Sequence, residues 1–151
     1  MLQRATIAGA NAHRPALTIA DEPTSALDTT LADGVLSAVR DDSASVLLIS
    51  HDLNLVAGHS HRVYVLYAGR VVETGPTAAV LASPRHPYTQ ALLAASPERG
   101  QRTRALPGGP PGPRGIGPGC AFASRCPAAI AVCRQTDPDL VDGVACWAVD
   151  R

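Results

Sequence analysis

Residues 17–28 of the chain read LTIADEPTSALD, an apolar run followed by two acidic residues, a proline and a polar segment. The apolar residues 17–20 predict a buried strand of the kind found inside parallel sheets. Pro23 lacks a backbone donor, so the strand should end before it. Ligands of open α/β sheets bind beyond the carboxyl ends of strands, which is where Asp21 and Glu22 are expected to lie. A lone Asp-Glu pair is more often a plain acidic turn. Adjacent carboxylates at such an edge also suit metal-assisted phosphate chemistry, in which one holds hydrated Mg²⁺ and the other polarises a water.

A second motif follows another apolar strand. Residues 46–49 read VLLI and are followed by Ser50-His51-Asp52. Three segments therefore follow one another: an apolar strand with Asp-Glu-Pro, then Ser-Ala-Leu-Asp, then an apolar strand with Ser-His-Asp. In this order they resemble the Walker B motif, D-loop and H-loop of ABC transporter ATPases. An arbitrary histidine would more often be a capping or surface residue, but this context favours a functional one.

The resemblance implies roles for individual residues. Asp21 would hold the Mg²⁺ of MgATP, Glu22 would activate the attacking water, and His51 would contact the γ-phosphate. Ser25 and Asp28 of the D-loop would lie on the nucleotide side, with Asp28 reaching across a dimer. These assignments agree with phosphoryl transfer as a reaction of positioning and charge stabilisation.

The predicted fold class is α/β: a partial P-loop NTPase sheet with helices, followed by an irregular cysteine-rich extension. Residues 1–83 are interpreted as the C-terminal part of an ABC ATPase domain. The predicted helices cover residues 2–12, 29–41, 52–58 and 77–82, and the predicted strands cover 17–20 and 46–49. Two further strands, 63–67 and 70–73, flank Ala68-Gly69 and predict a β-hairpin.

The extension, residues 84–151, begins with His86-Pro87-Tyr88-Thr89 and a predicted helix over 88–95. That motif narrows the resemblance to the ATPase subunits of oligopeptide, dipeptide and nickel importers. Of the 13 residues in 107–119, 11 are Pro or Gly. This composition excludes a regular helix or central strand and predicts an extended linker.

All four cysteines follow that linker, at positions 120, 126, 133 and 146. Cys120, Cys126, Cys133 and Cys146 resemble the cysteine motif of the peptide-importer ATPases, which in some members binds a [4Fe–4S] cluster. Four thiolates suit either that cluster or Zn²⁺. The spacing lacks the close Cys pairs of a zinc ribbon, and free thiols or disulfides remain a third interpretation.

Other ATPase motifs are missing from the sequence. No G-x-x-x-x-G-K-S/T phosphate loop is present, and neither is a signature or glutamine loop. The chain is therefore interpreted as the back part of an ATPase that is inactive alone. The alternative is a non-catalytic remnant that serves as a dimerisation or metal-binding regulatory piece.

Size and charge limit the remaining classes. The 151 residues correspond to about one domain, and 13 basic residues balance 13 acidic ones. No basic patch favours a nucleic-acid partner, and no apolar run reaches the roughly 18 residues of a membrane span. The family resemblance implies that the partners are a second ABC ATPase subunit and transmembrane permease subunits, at the cytoplasmic face of the inner membrane.

Overall fold

The computed structural model describes residues 9, 12–23, 34, 36–37, 45–96, 108–109, 111–112 and 116–149. It contains both β-strands and α-helices in a mixed arrangement, so the predicted α/β class is confirmed. In chain order they are β1 (Thr18–Asp21), β2 (Val46–Ile49), α1 (Leu53–His59), β3 (Arg62–Tyr67), β4 (Arg70–Pro76), α2 (Thr77–Ala82), α3 (Pro87–Ala94) and a 3-10 helix (Ala131–Arg134). The chain forms two compact units, residues 1–60 and 61–151.

The first unit contains a two-stranded parallel sheet. Strands β1 and β2 pair so that Thr18 lies opposite Val46 and Asp21 opposite Ile49. Leu48 packs with the buried side chains of Leu36 and Leu55 on one face. The predicted strands, their boundaries to within one residue and their parallel pairing are therefore observed.

The prediction that residues 17–20 form a buried strand is wrong for alternate positions. Leu17 is 54% exposed and Ile19 is 63% exposed, whereas Ala20 is buried. Successive side chains of a strand point to opposite faces, and only one face of this sheet is covered in the described residues. The apolar run encodes a strand with two apolar faces, of which one is covered here.

Helix α1 begins at a cap supplied by its own sequence. The Asp52 side chain accepts hydrogen bonds from the backbone N–H groups of Asn54 (2.9 Å) and Leu55 (3.4 Å). This satisfies donors that have no partner within a helix. The predicted helices 2–12 and 29–41 lie largely outside the described residues, of which Gly9, Gly34, Leu36 and Ser37 are helical.

The second unit is built on the predicted β-hairpin. Strands β3 and β4 are antiparallel, with an irregularity between Val65 and Leu66. At the turn, Ala68 and Gly69 both have positive φ, 49° and 79°. Two positive φ angles give the backbone twist that a two-residue hairpin requires. Strand β4 continues to Pro76, three residues beyond its predicted end.

The extension packs onto this hairpin. Phe122 is 1% exposed and joins a cluster with Val65, Tyr67, Val72 and Val80. Its ring centroid lies 5.2 Å from that of Tyr67, in an edge-on arrangement typical of aromatic pairs. The hairpin and the cysteine-bearing segment therefore share one hydrophobic core.

The C-terminal segment also pairs with the free edge of β4. The backbone N–H of Thr74 donates to Gly143 O (2.8 Å), and the N–H of Ala145 donates to Val72 O (2.9 Å). Gly143 has φ of 80°, and a Cβ placed on it would lie 2.5 Å from Thr74 O. Only glycine fits this close backbone approach without a shift. Within residues 107–119, the part that the structure describes contains neither helix nor strand, as predicted for a linker.

Candidate hydrolytic site and cysteine cluster

The two residues predicted to be catalytic lie together at the carboxyl edge of the parallel sheet. Parallel strands end at the same edge, so Glu22 after β1 and His51 after β2 become neighbours. Oε1 of Glu22 accepts hydrogen bonds from the backbone N–H of His51 (3.0 Å) and lies 2.7 Å from its Nδ1. The backbone N–H of Glu22 donates to Ile49 O at 2.9 Å, which extends the strand ladder to the site itself.

The pair is open to solvent and electrostatically coupled. The side chain of His51 is 84% exposed and that of Glu22 is 35% exposed. The hydrogen bond to the Glu22 carboxylate, followed by the charge of that carboxylate, raises the pKa of His51 above its ordinary value of 6.5. Both effects favour the imidazolium. The site therefore presents an accessible carboxylate beside an imidazole with an increased tendency to carry positive charge.

The backbone of Glu22 has a conformation that is unusual for this residue type. Its φ is 45°, in the left-handed region. Such conformations are uncommon for residues other than glycine, asparagine and aspartate, and cost of order 1–3 kcal/mol. The hydrogen bonds to Ile49 and His51 hold the residue there, so the local fold maintains the orientation of its carboxylate.

The other predicted nucleotide-site residues are only partly described. Asp21 is the last residue of β1, is exposed, and lies beside Glu22 at the strand end. Asp52, which follows His51, uses its carboxylate to cap α1. Ser25 and Asp28 lie outside the described residues.

A buried polar contact in the second unit, between Glu73 and the backbone before α3, was not predicted from the sequence. Glu73 is 3% exposed, and its carboxylate accepts from the backbone N–H groups of Arg85 (2.7 Å) and His86 (3.0 Å). His86 is 1% exposed, and its Nδ1 accepts from the N–H of Tyr88 (3.0 Å) at the start of α3. Burial lowers the pKa of His86 to about 4, against the opposing charge of Glu73. The sequence does carry a signal for this contact: a side chain that can cap a helix stands directly before Pro87, and proline is favoured at the first helical position.

The four cysteines are free thiols within the second unit. The backbone N–H of Cys120 donates to Cys133 O at 2.8 Å. Burial, and to a lesser degree the charges of Cys133 and Cys146, raise the pKa of both Cys120 and Cys126.

A metal centre is not confirmed by this arrangement. Throughout the part of the chain that the structure describes, no three His, Cys, Asp or Glu side chains are arranged to hold a metal ion. The thiols therefore do not fit a single tetrahedral Zn²⁺ as they stand, because such a site needs four ligands at about 2.0–2.3 Å from one ion.

None of the helices among the described residues has both the length and the apolar composition needed to cross a bilayer.

Residues 72–133 match the family described as "Oligopeptide/dipeptide transporter, C-terminal region". The chain is 47% identical over 147 residues to the dipeptide transport ATP-binding protein DppD of Escherichia coli (strain K12), a match that covers 93% of this chain and 45% of that protein. It is 44% identical over 160 residues to the peptide ABC transporter ATP-binding protein y4tR of Sinorhizobium fredii, covering 97% of this chain and 48% of y4tR.

These matches agree with the family named from the sequence motifs. The DppD protein of Haemophilus influenzae is similar to the same extent, at 44% identity over 93% of this chain. The chain spans slightly less than half the length of these curated relatives. Residues 72–133 are therefore similar to the C-terminal region of the oligopeptide/dipeptide transporter family, and most of the chain is similar to ATP-binding proteins of bacterial peptide transport.

Proposed function

We propose that this chain supplies residues that hydrolyse ATP in the ATP-binding subunit of a peptide importer. The observation that carries the proposal is the contact between Glu22 and His51, two residues 29 positions apart that meet at the ends of adjacent parallel strands. The matches to DppD and y4tR, which are ATP-binding proteins of dipeptide and peptide transporters, support it.

The geometry of the pair suggests a separate catalytic role for each of the two residues. Both contacts with His51 go to Oε1 of Glu22, so we expect Oε2 to face the attacking water and accept its proton. Nδ1 of His51 points at the carboxylate, which leaves Nε2 for an oxygen of the γ-phosphate. Because its pKa is raised, the imidazole is suited to stabilise negative charge there.

Three further residues complete the proposed nucleotide side. Asp21, exposed at the end of β1, would hold Mg²⁺ through water, as oxygen ligands commonly do for this ion. By family resemblance, Ser25 and Asp28 would contact the nucleotide side, with Asp28 reaching a second ATPase subunit. The remaining proposed partners are transmembrane permease subunits at the cytoplasmic face of the membrane.

The chain alone should neither bind ATP tightly nor hydrolyse it. Tight phosphate binding depends on backbone N–H groups of a glycine-rich loop at a helix N-terminus, together with a lysine. The sequence contains no such motif. Losing this positioning forfeits about 7–11 kcal/mol of barrier reduction, which Asp21, Glu22 and His51 cannot replace.

We also propose that the four cysteines hold one [4Fe–4S] cluster, with Zn²⁺ as the alternative. All four lie within residues 120–146 of one compact unit, which supports this, although no three His, Cys, Asp or Glu side chains among the described residues form a site for a single ion. No step of the proposed hydrolysis passes through this group. Anaerobic purification followed by iron, sulfide and zinc analysis tests it: stoichiometric iron and sulfide are expected, and absence of both iron and zinc rules the centre out.

The proposed function is tested in cells by a chimera. The part of E. coli DppD that matches this chain is replaced by the chain, and dipeptide uptake is measured in a strain that lacks DppD. We expect uptake well above that of the empty strain. A chimera that is produced and membrane-associated but leaves uptake at the background level would refute the proposal. A non-catalytic regulatory role is the alternative that such a result would favour.

A further inference from the structure

The second unit contains a cavity of about 410 Å³ between the hairpin and the C-terminal segment. Its walls come from the end of β3, the start of β4, residues 120–122 and residues 137–140. A cavity of this volume is within the range of small-molecule binding sites, which combine apolar walls with a few polar groups. Neither Glu22 nor His51 lines it, so the cavity is separate from the proposed hydrolytic site.

One side of the cavity is apolar and belongs to the core of the unit. Tyr67 and Phe122 both line it and are buried, and their ring centroids lie 5.2 Å apart. Val72 is buried at the same wall, whereas Leu140 is half-exposed at the rim. Because the rings are already held by core packing, an apolar group placed against them would leave water without a rearrangement of the protein.

The charged groups of the cavity include an acid that is not fully satisfied. Nη1 of Arg70 lies 2.7 Å from Oδ2 of Asp137, which is within ion-pair distance. The angles at this contact are not those of a hydrogen bond, so Oδ2, which is buried, has no hydrogen-bond donor among the described residues. Buried polar atoms of this kind are uncommon, because they cost free energy unless a donor reaches them.

Arg70 keeps donors that a ligand can use. Only its Nη1 contacts Asp137, whereas a guanidinium has five N–H donors in all. The side chain of Arg70 is 66% exposed, and an exposed ion pair contributes little to stability. A ligand carboxylate can therefore bind this guanidinium at little cost, in the paired hydrogen bonds that the two groups commonly form.

We propose that this cavity binds a free α-amino acid with an apolar side chain, its carboxylate on Arg70 and its ammonium on Oδ2 of Asp137. The side chain of the ligand lies against the rings of Tyr67 and Phe122. In such a molecule one carbon carries both charged groups, and two bonds of about 1.5 Å hold the nitrogen about 2.5 Å from the carboxyl carbon. This short spacing matches protein charges that are 2.7 Å apart. In a peptide the two charged termini are separated by at least one peptide unit, so they match the pair less well.

Other classes of ligand fit the lining less well. Asp139 also lines the cavity, at an exposed position, so one guanidinium and two carboxylates give a net charge of +1 − 2 = −1. This charge disfavours phosphate and other anions. A metal ion is disfavoured as well, because no three His, Cys, Asp or Glu side chains in the described part of the chain are arranged to hold one.

The test titrates the full 151-residue chain with leucine at pH 7 by isothermal titration calorimetry. We expect saturable one-to-one binding. Three analogues should each bind at least about tenfold more weakly, since each loses a charged contact. N-acetylleucine lacks the ammonium, leucinamide lacks the carboxylate, and the dipeptide Leu-Leu separates the two charges. Glycine, which keeps both charges but has no side chain, should also bind more weakly than leucine.

Variants of the chain test the two assigned contacts. Arg70→Gln and Asp137→Asn should each weaken leucine binding at least about tenfold, and Arg70→Lys should bind more tightly than Arg70→Gln. The matched control is Arg62→Gln, which changes an exposed arginine of the same hairpin that does not line the cavity. Cys120 also lines the cavity, so all proteins are purified anaerobically and compared at equal metal content. Far-UV circular dichroism checks that each variant is folded.

Several results would overturn the inference. They are the absence of saturable leucine binding, equal binding of N-acetylleucine or Leu-Leu, and an equal loss of binding in Arg62→Gln. The proposed function is tested separately by the chimera. Leucine binding by a chain whose chimera gives no uptake would support the cavity and contradict the proposed function. Normal uptake by the chimera, with no leucine binding by the chain, would contradict this inference alone.

Discussion

Lowering the pH should destabilise the second unit through one buried histidine. His86 is 1% exposed, caps α3 through Nδ1 and lies near the ring of Phe122, with ring centroids 6.0 Å apart. The charge of Glu73 opposes the effect of burial on its pKa, but the oxygens of Glu73 already accept from two backbone N–H groups. Protonating His86 would therefore place a charge in a largely apolar site and remove the acceptor that caps the helix.

The size of the effect follows from the pKa. A histidine in the unfolded chain titrates near 6.5, whereas burial holds the pKa of His86 at about 4 in the folded chain. Between these values the unfolded chain binds a proton that the folded chain does not, so the free energy of unfolding falls as the pH decreases from 6.5 toward 4. At about 1.4 kcal/mol per pKa unit, the loss approaches about 3 kcal/mol.

The measurement is denaturant unfolding at pH 7, 5.5 and 4.5, followed by the fluorescence of the single tryptophan. Trp147 lies in the same unit and donates its indole N–H to Thr136 O at 2.9 Å. The variant His86→Asn can still cap the helix but cannot titrate, so it should lose most of the decline in stability with falling pH. His61→Asn, at an exposed position, should keep it. A wild-type stability that is flat over this range, or an unchanged decline in His86→Asn, would refute the reasoning.

Three further predictions concern other parts of the chain. By NMR titration, the pKa of His51 should lie above 6.5 and return toward 6.5 in Glu22→Gln. Because the folded chain favours the imidazolium, any stabilisation from this pair should be lost as the pH rises through the raised pKa. A pKa of His51 that is not raised would contradict the contact with Glu22. Phe122→Ala should lower the free energy of unfolding by about 3–5 kcal/mol, measured from tryptophan fluorescence, since the ring is 1% exposed in the core; a loss below 1 kcal/mol would show that the extension does not depend on it. Gly143→Ala should lower the free energy of unfolding clearly more than Gly69→Ala, for which a loss of about 1 kcal/mol is expected. Both glycines have φ near 80°, but of the two only Gly143 has a backbone oxygen 2.5 Å from the added Cβ. Equal losses of stability in the two variants would argue against that close approach.

Local patterns predicted the elements that lie within short stretches of chain. The hairpin followed from Ala68-Gly69 between two β-rich runs, and the helix predicted over 52–58 from its apolar residues is observed as α1, one residue later at each end. Glu22 and His51 were each predicted to be catalytic, but the contact between them was not predicted; it arises because parallel strands end at one edge of the sheet. Such features depend on residues close in sequence or on one topological rule.

Contacts between residues distant in sequence, and the burial of each sheet face, could not be predicted in the same way. Glu73 looks like an exposed strand residue, yet it is buried because Arg85 and His86 return to it 12 and 13 residues later. The apolar run at 17–20 predicted burial on both faces, but burial also requires an element packed over each face, and Ile19 is 63% exposed. Cysteine spacing likewise indicated a cluster without fixing how the thiols are oriented.

The most direct test of the account is ATP turnover by the purified chimera of E. coli DppD with this chain. Phosphate release is measured for the unsubstituted chimera, for Glu22→Gln and for the exposed control Asp139→Asn, with MgATP binding followed by calorimetry. Glu22→Gln should bind MgATP normally but turn over about 10²-fold or more slowly, because it keeps the shape of the side chain and loses the carboxylate that accepts the proton. Asp139→Asn should match the unsubstituted chimera. Near-normal turnover in Glu22→Gln would contradict the assignment of this residue, and with it the hydrolytic role of the edge where β1 and β2 end.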